Sequence, residues 1–294
     1  MTTFLCWAEI RGRLYLGSVQ AKSEEEAINV YGKDGYEVET DTFDTWFSSG
    51  QWPFATLMAT GDFDKFYPTS VMGTMRDILY LWVTRMIMFG IYRTGQVPFR
   101  QVYLWGAVND AKGKKMSKSK GNVINPLDVT AKYGTDALRL SLTIGVTPGT
   151  GGSLSEEKIQ GYRNFCNKIW NATRFVLMNV EGQTVGQQAR PDLWELPEQW
   201  IISRLQKAEA AVQQAFATYR LDLAAQAIYD FIWNEYCDWY VELAKSSLND
   251  ESVSAERKAQ IRYVLLNCLE VAMRFTHPIM PYITESIWQT IAPI

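Results

Sequence analysis

Gln101-Val102-Tyr103-Leu104-Trp105-Gly106-Ala107-Val108-Asn109-Asp110-Ala111-Lys112-Gly113-Lys114-Lys115-Met116-Ser117-Lys118-Ser119-Lys120-Gly121-Asn122 is the stretch around which the rest of the chain is organised. Its first five residues form a β-like run, and Pro126, a little beyond it, suits the first turn of a helix. The lysine-rich part is therefore a loop leaving a strand. Lys112, Lys114, Lys115, Lys118 and Lys120 crowd into this loop, and Gly113 and Gly121 let it bend. A loop of this charge suits a polyanion. Taken as charge alone, it is also what a solvated face or a nonspecific nucleic-acid patch would look like.

The chain has 294 residues, enough for two domains that each bury a core. Hydrophobic residues make up 47% and charged residues 21%, an ordinary globular balance. No apolar run reaches the roughly 18 residues that would suggest a membrane span, and the longest candidate, Ile78 to Ile91, contains Arg85. The start, Met1-Thr2-Thr3-Phe4, has no basic region ahead of an apolar one, so no secretory signal and a cytoplasmic location are expected. Cys6, Cys166, Cys237 and Cys268 are scattered without a Cys-x-x-Cys pair. They read as buried thiols, not as a metal site or disulfide framework. The net charge is −3, yet Arg100 to Arg139 holds basic residues well in excess of acidic ones. A local field of that sign can hold phosphate while the rest of the surface stays acidic.

Residues 3 to 17 alternate apolar and polar about Gly12 and read as a hairpin; Ser23 with Glu26 is a capping-box pattern opening a short helix to about Tyr31. Asp41-Thr42-Phe43-Asp44-Thr45-Trp46-Phe47-Ser48-Ser49-Gly50-Gln51-Trp52-Pro53-Phe54 reads, on pattern alone, as a helix N-terminus with aromatic packing. From Asp77 to Gly90 apolar residues run nearly all round, which predicts a buried helix with Asp77 in its first turn. Asp136 to Ile144 is a further helix, and the breaker-rich run Gly145 to Gly152 marks a boundary. Ser155 then opens a long helix on which Phe165, Ile169, Ala172 and Val176 recur at helical spacing. Arg163, Asn164, Lys168, Asn171 and Arg174 fall on its other faces. After a polar connector, Glu181 to Leu196, the stretches Gln199 to Tyr219, Leu221 to Leu248, Ser252 to Phe275 and Pro278 to Ile291 predict an antiparallel bundle.

Lys115-Met116-Ser117-Lys118-Ser119, followed by Lys120-Gly121-Asn122-Val123-Ile124 and Tyr133-Gly134-Thr135-Asp136-Ala137-Leu138-Arg139, resembles the signature loop of the Rossmann-type aminoacyl-tRNA synthetases. The run Asp-Thr-Trp-Phe-Ser-Ser-x-x-Trp-Pro-Phe at residues 44–54 resembles the valyl-tRNA synthetase family in particular. Phe231 to Tyr240 and His277 to Glu285 resemble the anticodon-binding bundle of the same enzymes. The fold this implies is α/β followed by all-α. Residues 1–40 would be a small α+β re-entry module, 41–150 the second half of a Rossmann-type catalytic domain, and 151–294 the helical anticodon-binding bundle.

The activity implied is valine–tRNA ligation, with ATP, valine and tRNA(Val) as partners, Mg2+ only as the counter-ion of ATP, and no protein metal site. Residues carried over by the resemblance are Lys115 and Lys118 as catalytic, with Met116, Ser117 and Ser119 completing the ATP-binding loop. Asp77 would bind the substrate ammonium, and Trp46, Ile78 and Trp82 would line the side-chain pocket. Arg163, Asn164, Lys168, Asn171 and Arg174 are the candidate tRNA-binding face.

The family's other phosphate motif, His-Ile-Gly-His, is absent, since His277 is the one histidine. The chain would then be the C-terminal part of such an enzyme, either a fragment or one partner of a split enzyme whose companion chain carries the N-terminal half, and alone it is expected to be inactive. Met75-Arg76 stands where the family has Gly-Tyr or Gly-Phe, and Trp105 where it has His. The alternative is a noncatalytic tRNA-binding module derived from a synthetase.

Overall fold

A computed structural model describes residues 2–10, 13–21, 23, 25–26, 36–38 and 43–292. The chain divides into two compact units, Met1–Thr69 with Tyr80–Pro98, and Ser70–Leu79 with Phe99–Ile294.

In the first unit, strands Thr2–Ile10 and Arg13–Ala21 pair antiparallel as the expected hairpin. Tyr36–Val38 adds antiparallel to the other edge of the first strand. Ser23 Oγ accepts the Glu26 N–H at 3.2 Å, as the capping pattern requires, while the hairpin turn at Gly12 and the helix beyond residue 26 lie outside the described residues. Helix Thr45–Thr60 begins where Asp44 accepts the Trp46 N–H at 2.7 Å, so its N-terminus is built by a capping carboxylate. It packs against helix Thr84–Thr94, with Phe47 edge-on to Phe89 at 6.0 Å. A Cβ on Gly50 would meet the Phe89 ring at 2.6 Å, so only glycine allows this approach.

The uniform, buried helix expected from Asp77 to Gly90 is not what forms. Arg76–Ile78 is a 3-10 turn, Leu79–Val83 a π-helical turn, and the α-helix starts at Thr84. Val83, Met86 and Gly90 are buried, but Tyr80 is 80% and Tyr92 91% exposed. An all-round apolar pattern carries no information about which side is covered; that depends on what there is to pack against, and only one stripe meets a neighbouring helix.

In the second unit, strand Phe99–Trp105 pairs with Thr69–Met75, and Val108–Asn109 runs parallel to Gly152–Ser153. Helices Pro126–Tyr133 and Thr135–Thr143 follow, the first capped by Asn125, whose Oδ1 accepts the Leu127 N–H at 3.1 Å. Ser155 caps the long helix Glu156–Val180, and its predicted stripe Phe165, Ile169, Ala172 and Val176 is buried. The bundle consists of Leu196–Ala217, a continuous run from Leu221 to Asn249, Ala255–Thr276 and Pro281–Ile291.

One core extends from Val129 to Ile291, and the breaker-rich loop at 145–152 does not interrupt it. The middle of the Leu221–Asn249 run, Phe231–Tyr240, is π-helical. Its Phe231, Tyr236 and Tyr240 are core, with the Tyr236 hydroxyl donating to the Leu265 carbonyl at 2.9 Å. Cys166, Cys237 and Cys268 are free and buried, as expected; burial pushes the first up to about 11 and the second to about 12. Thiols held protonated in this way are inert.

Candidate functional site

The lysine loop is held by a clasp between Asp110 and Asn122, which no local sequence pattern announces. One carboxylate oxygen of Asp110 accepts the backbone N–H groups of Lys112 and Lys114, each at 2.9 Å; the other accepts from the Asn122 amide at 2.9 Å. Asn122 in turn accepts the Ser117 N–H at 3.0 Å. These hydrogen bonds, the Asn122 one foremost, hold the Asp110 carboxyl below its usual range. Thus Asp110 and Asn122, on either side of the signature, fix it between them. Gly113 and Gly121 sit at φ +76° and +66°, left-handed positions where a Cβ would be strained. Gly106 is needed for another reason, since its Cβ would lie 2.0 Å from the Thr150 carbonyl oxygen.

All five lysines are exposed, while Met116 is partly buried and packs on the core. The loop therefore has an apolar anchor in its middle and charges on either side. Ser117 and Ser119 hydroxyls lie 3.1 Å apart, and Lys118–Lys120 forms a 3-10 turn. Of the five, Lys115 is the one with an ion pair among the described residues: its Nζ lies 3.3 Å from Asp77 Oδ2. Asp77 is exposed, and a cation already stands beside it. Ile78, next to it, is partly buried.

Trp46 and Trp82 belong to the first unit and have separate partners there. The Arg85 guanidinium lies 3.6 Å from the Trp46 ring centroid, and its Nη1 donates to Ser49 Oγ at 3.0 Å. Trp82 stacks on Trp52 at 6.3 Å. The Trp105 departure has a structural counterpart in Gly73, where a Cβ would meet the Trp105 ring at 2.8 Å.

On the long helix, Arg163, Asn164, Asn171 and Arg174 are exposed. Lys168 differs: it is half-buried, paired with Asp238, and set over the Trp233 ring at 4.0 Å. Its charge is neutralised within the bundle. Asp136 and Arg139 also have roles that no pattern announced. Asp136, 7% exposed, accepts the N–H groups of Tyr282 and Ile283 at 3.2 and 2.7 Å, capping helix Pro281–Ile291. Arg139 donates to the carbonyls of Ile279 and Pro278 at 2.8 and 3.1 Å. The segment after the lysine loop is thereby tied to the last helix of the chain.

Comparison with known proteins gives two matched segments. Residues 11–153 match the model of the class I tRNA synthetases (I, L, M and V), and residues 198–293 that of the anticodon-binding domain of tRNA ligase. The valine–tRNA ligase of Acinetobacter baylyi is 51% identical over 98% of this chain, and that of Psychrobacter arcticus 46% over 98%. The chain spans 35% of the length of each of these relatives. Among solved structures, the leucyl enzyme of Agrobacterium radiobacter K84 (the agnB2 LeuRS-tRNA-LeuAMS complex) superimposes with a TM-score of 0.68 at 20% identity, over 87% of this chain and 32% of that one. The apo methionyl-tRNA synthetase of Mycobacterium tuberculosis does so at 0.64 and 17%, over 88% and 51%. The likeness of fold agrees with half of a Rossmann-type domain followed by a helical bundle, and with family models that together cover most of its length, the chain belongs to the class I tRNA synthetases.

Proposed function

We propose that this chain is the part of a valine–tRNA ligase that carries the lysine loop, the amino-acid pocket residues and the anticodon-binding helices. The observation that supports this most is the contact between Lys115 and Asp77, residues 38 apart in sequence. A loop suited to ATP phosphates and a carboxylate suited to an amino-acid ammonium adjoin within one unit. Residues 1–40 serve as the re-entry module, 41–150 as the catalytic half and 151–294 as the tRNA-binding part. The protein works in the cytoplasm, with a companion chain or segment supplying the remaining two thirds of the relatives' length.

In the reaction, the valine carboxylate attacks the α-phosphorus of ATP, forming valyl-adenylate and releasing pyrophosphate. A hydroxyl of the 3′-terminal ribose of tRNA(Val) then attacks the carbonyl and AMP leaves. Such chemistry needs positioning and charge stabilisation more than covalent help. Asp77 holds the valine ammonium, with Ile78 next to it in the chain; Trp46 and Trp82 are pocket candidates through the family resemblance alone. The ammonium displaces Lys115 from Asp77, which frees that lysine to join Lys118 on the phosphates. Met116 keeps the loop seated while its flanks move. Mg2+ would enter with ATP as its counter-ion. Arg163, Asn164, Asn171 and Arg174 face the tRNA.

The test is reconstitution. The chain is mixed with the N-terminal portion of a valine–tRNA ligase relative, and valine-dependent ATP–pyrophosphate exchange and tRNA charging are measured. Neither part alone should show exchange, and the mixture should prefer valine to isoleucine. A mixture that binds tRNA yet never exchanges pyrophosphate would instead favour a noncatalytic tRNA-binding module.

A further inference from the structure

A cleft whose lining includes none of the loop lysines lies in the unit Ser70–Leu79 with Phe99–Ile294. It has a volume of about 550 Å³, and its walls include Val102, Leu104, Pro148, Tyr103, Tyr219 and Arg220. Tyr219 has φ +56°, and among the described residues it is the non-glycine residue with a left-handed backbone. It ends helix Leu196–Ala217, where the Arg220 N–H bonds the Ala215 carbonyl at 2.8 Å and the Tyr219 N–H bonds the Phe216 carbonyl at 3.1 Å. This is a Schellman ending, whose left-handed position glycine takes without cost and a residue with a Cβ does not. A tyrosine here goes against the local preference.

Its ring forms one side of the cleft. The Tyr103 ring lies 6.2 Å away at an interplanar angle of 44°, so the two tyrosines make a splayed aromatic corner, and the Tyr219 side chain remains partly open to solvent. Arg220 is fixed beside them. Its Nε and Nη2 donate to the Asp222 carboxylate at 2.9 and 2.7 Å, and Asp222 is 6% exposed. That leaves Nη1 outside the pair, as a fixed donor whose charge is already balanced. Burial pushes the Tyr103 phenol up, with Asp222 adding to the effect, so it stays protonated and can donate as well. Flat apolar faces with fixed donors at their edge, in a charge-balanced setting, suit a planar heteroaromatic ring with acceptor atoms on its rim.

We propose that this cleft binds an unpaired nucleobase, stacked on Tyr219 and held at its edge by Arg220 and Tyr103. The proposal rests on the tRNA-synthetase reading above and adds to it a contact that depends on stacking, not on phosphate charge. A base in such a corner comes either from an unstacked position of an RNA strand or from a free nucleotide.

The test uses the whole chain with three probes: a tRNA(Val) transcript, a single-stranded 12-nucleotide RNA, and AMP. Stacking on an aromatic side chain accounts for roughly fivefold to a hundredfold in affinity per base. Tyr219→Gly should therefore weaken binding by that factor at every salt concentration, without changing the slope of log K against log[salt]. Its thermal midpoint should be equal to or above the parent's, because the left-handed strain is relieved. Tyr219→Phe, which keeps the ring, should bind within about twofold of the parent. If AMP binds with the same dependence on Tyr219 and displaces RNA, the base is that of a free nucleotide; if RNA alone shows it, the base belongs to the strand. The proposal is overturned if Tyr219→Gly binds RNA and AMP like the parent, if Tyr219→Phe loses as much as Tyr219→Gly, or if the parent binds none of the probes. Lys118→Ala in the same assay separates the two levels. A reduced salt slope for Lys118→Ala beside an unaffected Tyr219→Gly would sink only the nucleobase site, whereas no RNA binding at all would sink the synthetase reading with it.

Discussion

Replacing Lys115 with alanine should tighten valine binding in the absence of ATP, although it removes a residue proposed to act in catalysis. Its Nζ lies 3.3 Å from Asp77 Oδ2, so in the free protein an ammonium already sits beside the carboxylate that valine's own ammonium must reach. Both partners are largely solvent-exposed, at 61% and 43% for their side chains, so the pair falls in the class worth roughly 0.2–1 kcal/mol. Displacing it thus costs the incoming amino acid about 1.4-fold to fivefold in affinity. Calorimetric titration of the reconstituted enzyme with valine should show Lys115→Ala tighter by that factor at low salt. The gap should narrow as ionic strength rises and screens the exposed pair. Pyrophosphate exchange should fall in the same variant, so affinity and turnover would move in opposite directions. Lys115→Arg should retain the parent's affinity, because it retains a cation. A Lys115→Ala enzyme that binds valine no better than the parent, or more weakly, would refute the idea that Lys115 and the substrate compete for Asp77.

Three further outcomes are expected. Lys118→Ala in the reconstituted enzyme should lower kcat by about 10²–10³ with little change in the KM for valine, while Lys112→Ala, outside the signature, should show a several-fold smaller loss that vanishes at high salt; equal losses would reduce the loop to a charged patch. Asp136→Ala leaves two helix N–H groups without their carboxylate and should cost about 1–3 kcal/mol in urea unfolding, with Asp136→Asn costing less; an unchanged midpoint would deny the capping role. Because the folded-state pKa of Asp110 is depressed, its clasp contributes fully above the ordinary carboxylate value of about 3.9 and is lost as pH falls through the lower folded value. Protease cleavage within Lys112–Lys120 should accordingly accelerate only in acid below about pH 4 in the parent chain, and already at neutral pH in Asn122→Ala; equal rates for both chains at neutral pH would rule out the clasp.

The sequence by itself determined the order of elements, because each rests on neighbours a few residues apart. Asn125 before Pro126 and Ser155 before Glu156 cap the helices they precede, and the Phe165–Val176 stripe is buried as its spacing requires. It also determined the family, since the lysine signature and the residue 44–54 run are contiguous strings. The candidate pocket residues were legible as names but not as an arrangement. Nothing local says that Lys115 meets Asp77, that Arg85 covers the Trp46 ring, or that Lys168 is neutralised by Asp238. The same holds for Asp136, whose partners lie 146 and 147 residues further on, and for the clasp between Asp110 and Asn122. Period and composition report which face of an element is apolar. Which neighbour covers that face, and which carboxylate finds which cation, depends on how distant segments are brought together, and only the tertiary structure decided that. The helix after Asp77 shows it most plainly: with apolar residues all round, the pattern had no side to choose, and packing buried Val83, Met86 and Gly90 while leaving Tyr80 and Tyr92 in solvent.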